Sequence, residues 1–102
     1  MKVTVLGSGS GGNATLVESG AARVLVDAGF SGRDLERRLA EVEVAPESIT
    51  ALVVTHDHRD HTLGAGVLAR RWGLQVLLTR RTLRACRALF KGGEKVACYC
   101  CC

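Results

Sequence analysis

Apolar and polar residues alternate from Lys2 to Leu6, the period of a half-buried strand, and the run enters a loop of four glycines, Gly7-Ser8-Gly9-Ser10-Gly11-Gly12-Asn13. Alternation resumes over Ala14–Glu18 and again over Arg23–Val26, with Ser19-Gly20 between them as a hairpin turn. Asp27-Ala28-Gly29 breaks the third strand. The period then changes. Leu35, Leu39 and Val42 recur at helical spacing, Arg37 and Glu41 sit one turn apart, and Pro46 stops the run. Ser31 can cap this helix, with Asp34 three positions on as a capping-box-like partner. Ile49–Thr55 contains a buried-looking strand, Leu52-Val53-Val54, that delivers the chain into His56. Beyond it the pattern predicts a helix from about Leu63 to Trp72 and a strand over Gln75–Leu78. A further helix, capped by Thr79, gathers Leu83, Cys86, Leu89 and Phe90 on one face. The order β-β-β-α-β-α-β-α, with no internal repeat and no linker, is an α/β arrangement that opens with a hairpin.

Composition narrows the class without naming a function. The chain has 102 residues, 47% hydrophobic and 24% charged, one ordinary globular domain at most. Its apolar stretches, such as Ala51–Val54, are far too short to cross a bilayer, and Met1–Leu6 runs straight into glycine and serine with no signal-peptide pattern. A cytoplasmic location with no membrane partner is expected. The net charge of +4 is unevenly placed: residues 1–58 hold five basic and eight acidic groups, residues 59–102 nine basic and two acidic. A basic half suits a phosphate-bearing substrate, although solvated arginines on surface helices are the commoner origin of such a bias. With four aromatic residues in all, no stacking platform for bases accompanies it.

Cys86 falls inside a helical pattern and reads as a small core residue. Cys98, Cys100, Cys101 and Cys102 crowd the last five positions. Such a tail could bind soft metals, but no histidine approaches it in sequence. The shift in composition after Lys91 predicts an irregular segment over 91–102, and a truncation or frameshift is the expected origin of it.

The strongest chemical signal is Thr55-His56-Asp57-His58-Arg59-Asp60-His61, which holds all three histidines of the chain. Imidazole and carboxylate are the ligands zinc prefers, while manganese or iron is also compatible with them. On an extended segment, His56 and His58 project to the same side and can grip one ion. Asp60 and His61, at the start of the following helix, can face a second. Paired ions activate a water for attack, and Asp60 could orient that water and accept its proton. Gly7, Gly9 and Gly12 also satisfy Gly-x-Gly-x-x-Gly, the dinucleotide fingerprint. That motif needs a helix to open at the loop, whereas Ala14–Glu18 alternates as a strand. Nucleotide binding is therefore set aside.

The run Thr55–His61 resembles the His-x-His-x-Asp-His signature of metallo-β-lactamase-fold hydrolases. Leu6–Leu16 and Leu25-Val26-Asp27-Ala28-Gly29 agree with it, and together the three stretches look most like the YycJ/WalJ-type branch. The histidine motif is shared with ribonuclease Z, glyoxalase II and lactonase families. The resemblance covers about residues 2–90 and implies an αββα sandwich, of which residues 1–90 supply about the first half. It implies a cytoplasmic metal-dependent hydrolase, of phosphodiester bonds in DNA by branch and of thioesters or lactones by the alternative. It places His56 and His58 at a first metal, Asp60 and His61 at a second, and Asp27 behind the metal loop as its support. The family completes two zinc sites with downstream histidines and a bridging aspartate. After His61 this chain has no histidine and only Glu94 among its acidic residues. Three protein ligands per catalytic zinc are the norm. Weak metal binding and negligible hydrolysis by this chain alone are expected, so a non-catalytic metal-binding fragment is the other class of reading.

Overall fold

In a computed structural model, which describes residues 1–56, 58–92 and 94–98, six strands form one sheet in the order β1 to β6. β1 (Lys2–Gly7), β2 (Ala14–Ser19) and β3 (Ala22–Val26) are antiparallel neighbours. β4 (Ala51–Val53), β5 (Gln75–Leu78) and β6 (Lys95–Cys98) continue the sheet in parallel from β3. Among the described residues, four α-helices lie between these strands: α1 (Gly32–Glu41), α2 (Arg59–Thr62), α3 (Ala65–Trp72) and α4 (Arg80–Cys86). The α/β reading, opening on a hairpin, describes this architecture.

The core sits on one face of the sheet. Leu16, Leu25, Leu52 and Val76 stand side by side in register and are fully buried, as are Leu35 and Leu39 of α1 and Leu68 of α3. Each such side chain contributes about 1.5–3 kcal/mol of burial. On the opposite face the row Val5, Thr15, Val26, Val53 and Leu77 is also in register, yet none of these residues is buried. Val5 remains 62% exposed.

Local chemistry sets the element ends. Ser31 Oγ accepts the Asp34 N–H at 3.2 Å and opens α1, while Thr79 Oγ1 accepts the Thr82 N–H at 3.1 Å and opens α4. Gly73, at φ 65°, closes α3 in the left-handed conformation. The helix predicted over Leu63–Trp72 is α3, which opens at Ala65; the short α2 precedes it, and between the two Gly64 donates its N–H to the Ala28 carbonyl at 2.8 Å and lies against the Phe30 backbone. α2 begins at Arg59 inside the histidine motif and holds Asp60 and His61, at the helix start expected for them. β6 occupies part of the stretch after Lys91 for which the pattern predicts no element; Tyr99, Cys100, Cys101 and Cys102 lie outside the described residues. Cys86 is buried in the core, and its thiol donates to the Thr82 carbonyl at 3.0 Å. No helix among the described residues is long and apolar enough to cross a membrane.

Candidate metal centre

The parallel strands end together, and the loops that leave their ends build the site. Val26 and Val53 are paired, so Asp27 and Val54 leave the sheet level with one another. Asp27 then turns at φ 65°, a conformation that aspartate tolerates better than most residues. Its N–H bonds the Val53 carbonyl at 2.7 Å, and its buried side chain points under the Thr55–His61 loop.

Asp27 holds both ends of that loop. Its Oδ1 accepts the Thr55 N–H at 2.7 Å, and its Oδ2 accepts from the Thr55 hydroxyl at 2.6 Å and from His61 Nδ1 at 2.7 Å. A carboxylate oxygen only accepts, so His61 carries its proton on Nδ1. The Thr55 hydroxyl gives its hydrogen to Asp27 and therefore accepts from His56 Nδ1, 2.9 Å away. In its neutral form each ring then has an unprotonated Nε2. A histidine whose second nitrogen donates to a carboxylate is the usual form of a metal ligand. His56 and His61 lie with ring centroids 4.7 Å apart.

Asp60 is positioned from the other side. Asn13, the last residue of the glycine loop, donates its backbone N–H to the Asp60 carbonyl at 2.7 Å. Its side-chain amide reaches the same carbonyl and Asp60 Oδ2, each at 3.1 Å. This carboxylate oxygen stands 3.7 Å from His61 Nε2. Close approach requires glycine at position 29, where a Cβ would run into the Asp60 carbonyl and come within 2.6 Å of Asn13 N. Gly12 (φ 144°) lies against the Phe30 ring, which carries the Arg38 guanidinium 3.8 Å above its centre. The glycine loop is thereby pinned beside the histidines.

Of the residues singled out in the sequence, Asp27, His56 and His61 each offer a ligand atom within 4.8 Å of the others. Asp60 adjoins this group through its 3.7 Å approach to His61. The exposed His58 ring lies 6.3 Å from that of His56, and the His58 carbonyl caps the start of α2 by accepting from His61 N and Thr62 Oγ1. Asp57 lies outside the described residues. Asp27 differs from the rest because both of its oxygens already hold hydrogen bonds. Thr55 and Asn13 are the positioning groups that sequence reasoning passed over. Their only signals are a hydroxyl at the start of the histidine run and an amide at the end of the glycine run. The donor set, two imidazoles with free Nε2 atoms beside a carboxylate, fits a divalent cation of the zinc type.

The sequence profile of the metallo-beta-lactamase superfamily matches residues 7–97. The chain belongs to that superfamily. It is 42% identical over 84 residues to the exodeoxyribonuclease WalJ of Streptococcus pneumoniae, an alignment covering 82% of this chain and 31% of that protein. With ribonuclease Z of Mycolicibacterium gilvum it shares 41% identity over 80 residues, 71% of this chain and 27% of that one. The structure of a B3 metallo-beta-lactamase with an active-site glutamic acid superposes with a TM-score of 0.72 at 26% identity, covering 81% of this chain and 32% of that one. The chain spans 31% or less of the length of these two curated relatives. The glycine loop, the Asp27 turn and the histidine run all fall within the matched superfamily segment.

Proposed function

We propose that this chain supplies the metal-binding part of a hydrolase that cleaves phosphodiester bonds in nucleic acid, DNA in the first instance. The observation that carries the reading is the hydrogen-bond chain from Asp27 through Thr55 to His56 and from Asp27 to His61, which leaves both Nε2 atoms free as ligands. His56, His58, Asp60 and His61 would hold the metal, zinc by donor type, with manganese or iron as other occupants. A bound divalent ion supplies Lewis acidity and a water acidic enough to attack at neutral pH. Asp27 and Thr55 keep the two imidazoles in the tautomer that binds. Asn13 fixes the Asp60 carboxylate, whose Oδ2 is the group that orients the attacking water and takes its proton. WalJ and ribonuclease Z are named for different nucleic acids and share the phosphodiester as the bond broken, which favours that bond over a thioester or lactone.

The test is a chimera in which this chain replaces the segment it matches in the Streptococcus pneumoniae exodeoxyribonuclease. Metal-dependent degradation of single-stranded DNA, lost on His61→Ala, is the expected result. Turnover of a thioester or lactone with DNA left intact would overturn the phosphodiesterase reading.

A further inference from the structure

The second half of the chain carries a basic surface that the metal centre does not use. Arg80, Arg81, Arg84 and Arg87 are all exposed; at 100° per residue the first three share the outer face of α4, away from the buried Cys86, and Arg87 opens the 3-10 turn that follows it. Among the described residues none of these four has an acidic partner: the ion pairs formed by arginines after residue 60 are Arg70 with Glu94 and Arg71 with Glu36. Between Asp60 and Glu94 the sequence has no acidic residue at all.

This arrangement works against the helix that bears it. Arg80 and Arg84 are like charges four residues apart, as Arg81 and Arg84 are three apart, and such pairs repel. Arg80 and Arg81 also occupy the first turn, where the helix dipole disfavours cations, and no acidic residue offsets them there. A helix serving only as a solvated cover would be more stable with mixed charge. Four unpaired cations on α4 and the turn after it instead generate a positive field suited to a polyanion.

Register connects this surface to the metal centre. β4 and β5 are parallel, with Val53 beside Leu77. Three residues beyond that pair the chain reaches His56 on one strand and Arg80 on the next. α4 therefore starts at the same edge of the sheet as the histidine loop, one strand over, and its arginines run away from the site.

We propose that the outer face of α4 and the turn after it form a nucleic-acid backbone track, with Arg80 and Arg81 holding the phosphates nearest the metal centre and Arg84 and Arg87 those further out. The choice of nucleic acid rests on the phosphodiesterase reading; the track itself rests on charge and placement. A run of phosphates matches a row of guanidiniums, whose planar forks bind them bidentately, and it needs no aromatic platform.

The test is binding of the full 102-residue chain to a fluorescent single-stranded DNA oligonucleotide, read by anisotropy across a salt series without turnover. Each phosphate neutralised on a single strand contributes about −0.7 to the slope of log K against log salt. Replacing all four arginines with glutamine should therefore flatten the slope by about 3, while the all-lysine version keeps most of it. Lys2→Gln, at the far edge of the sheet, should leave the slope unchanged, and a melt of each variant checks its folding. An unaltered slope in the glutamine variant overturns the track, as does wild-type chain that fails to bind at low salt. Equal competition by a poly-aspartate peptide of matched charge would identify an acidic-protein surface and also overturns it. Binding is measured apart from cleavage, so a failed phosphodiesterase test leaves this result standing, and DNA cleavage with an unchanged slope would sink the track alone.

Discussion

Asp27→Asn isolates the feature on which the metal centre depends. Asparagine has the same shape and tolerates the φ of 65° at this position, so the turn is kept. Its carbonyl oxygen can still accept the Thr55 N–H. Its NH2 group, where Oδ2 stood, can accept neither the Thr55 hydroxyl nor the His61 Nδ1 proton. A donor left without its acceptor in this partly buried site costs about 1–3 kcal/mol. His61 can relieve the clash of donors by moving its proton to Nε2, the nitrogen a metal needs. Loss of such a supporting carboxylate lowers metal affinity about 10–100-fold, or about 1.4–2.8 kcal/mol. The expected outcome is a melting temperature lower by about 4–24 °C, from about 4–8 °C per kcal/mol in a domain of this size. Calorimetric titration with zinc should show the affinity loss, and nitrogen chemical shifts should show the His61 tautomer reversed. Wild-type zinc affinity in Asp27→Asn, with His61 still protonated on Nδ1, would refute the reasoning.

The packing and the charge distribution set three further outcomes. Gly29→Ala should destabilise the chain by about 3 kcal/mol or more in urea denaturation, because backbone on both sides, Asp60 O and Asn13 N, leaves no room for a Cβ; a wild-type midpoint would show that the loops separate easily. Glu94 is held at a pKa of about 2, down from its ordinary 4.5, by the Lys91 backbone N–H first, then by Arg70 and the Gly92 N–H. A lowered carboxylate pKa stabilises the fold above pH 4.5, so the stability gap between wild type and Glu94→Gln should close as pH falls from about 4.5 to 2; a gap that stays constant over that range contradicts the assignment. Val5, 62% exposed on the sheet face opposite the core, should accept lysine with a change in melting temperature of no more than about 4 °C and a gain in solubility; a large drop in melting temperature would mean that Val5 is packed.

Strand and helix positions were legible where local chemistry and tertiary packing agree. Ser31 and Thr79 cap the helices that their spacing predicts, and the alternation in residues 2–6, 14–18 and 23–26 matches three strands within a residue or two of their ends. The break at Gly64 was not legible, because it comes from Phe30 and Ala28, more than thirty positions away. β6 was missed for a related reason: Lys95–Cys98 is short and follows two glycines in the sequence, and pairing with β5 makes it a strand. In the candidate site, the histidine run singles out His56 and His61, which the structure brings together with Asp27, whereas His58, expected beside His56, stands outside that group. What sequence cannot give is the order of hydrogen bonds that sets each tautomer, since Asp27 reaches Thr55 and His61 only after β3 and β4 align. Asn13 reads as the end of a flexible loop until its contact with Asp60, 47 residues on, shows it to be a clamp.

The central claim is that the His56–His61 loop, braced by Asp27, is built to hold a divalent ion. A thermal melt of the chain with zinc, with chelator, and with zinc in a His56→Ala/His61→Ala variant tests it most directly. Binding to the native state alone raises stability by RT ln(1 + [L]/Kd). The melting temperature of the wild-type chain should therefore climb with zinc concentration and fall back on chelation, while the double variant stays indifferent to both. A wild-type melt that ignores zinc, or a double variant that responds as strongly as wild type, would contradict the claim.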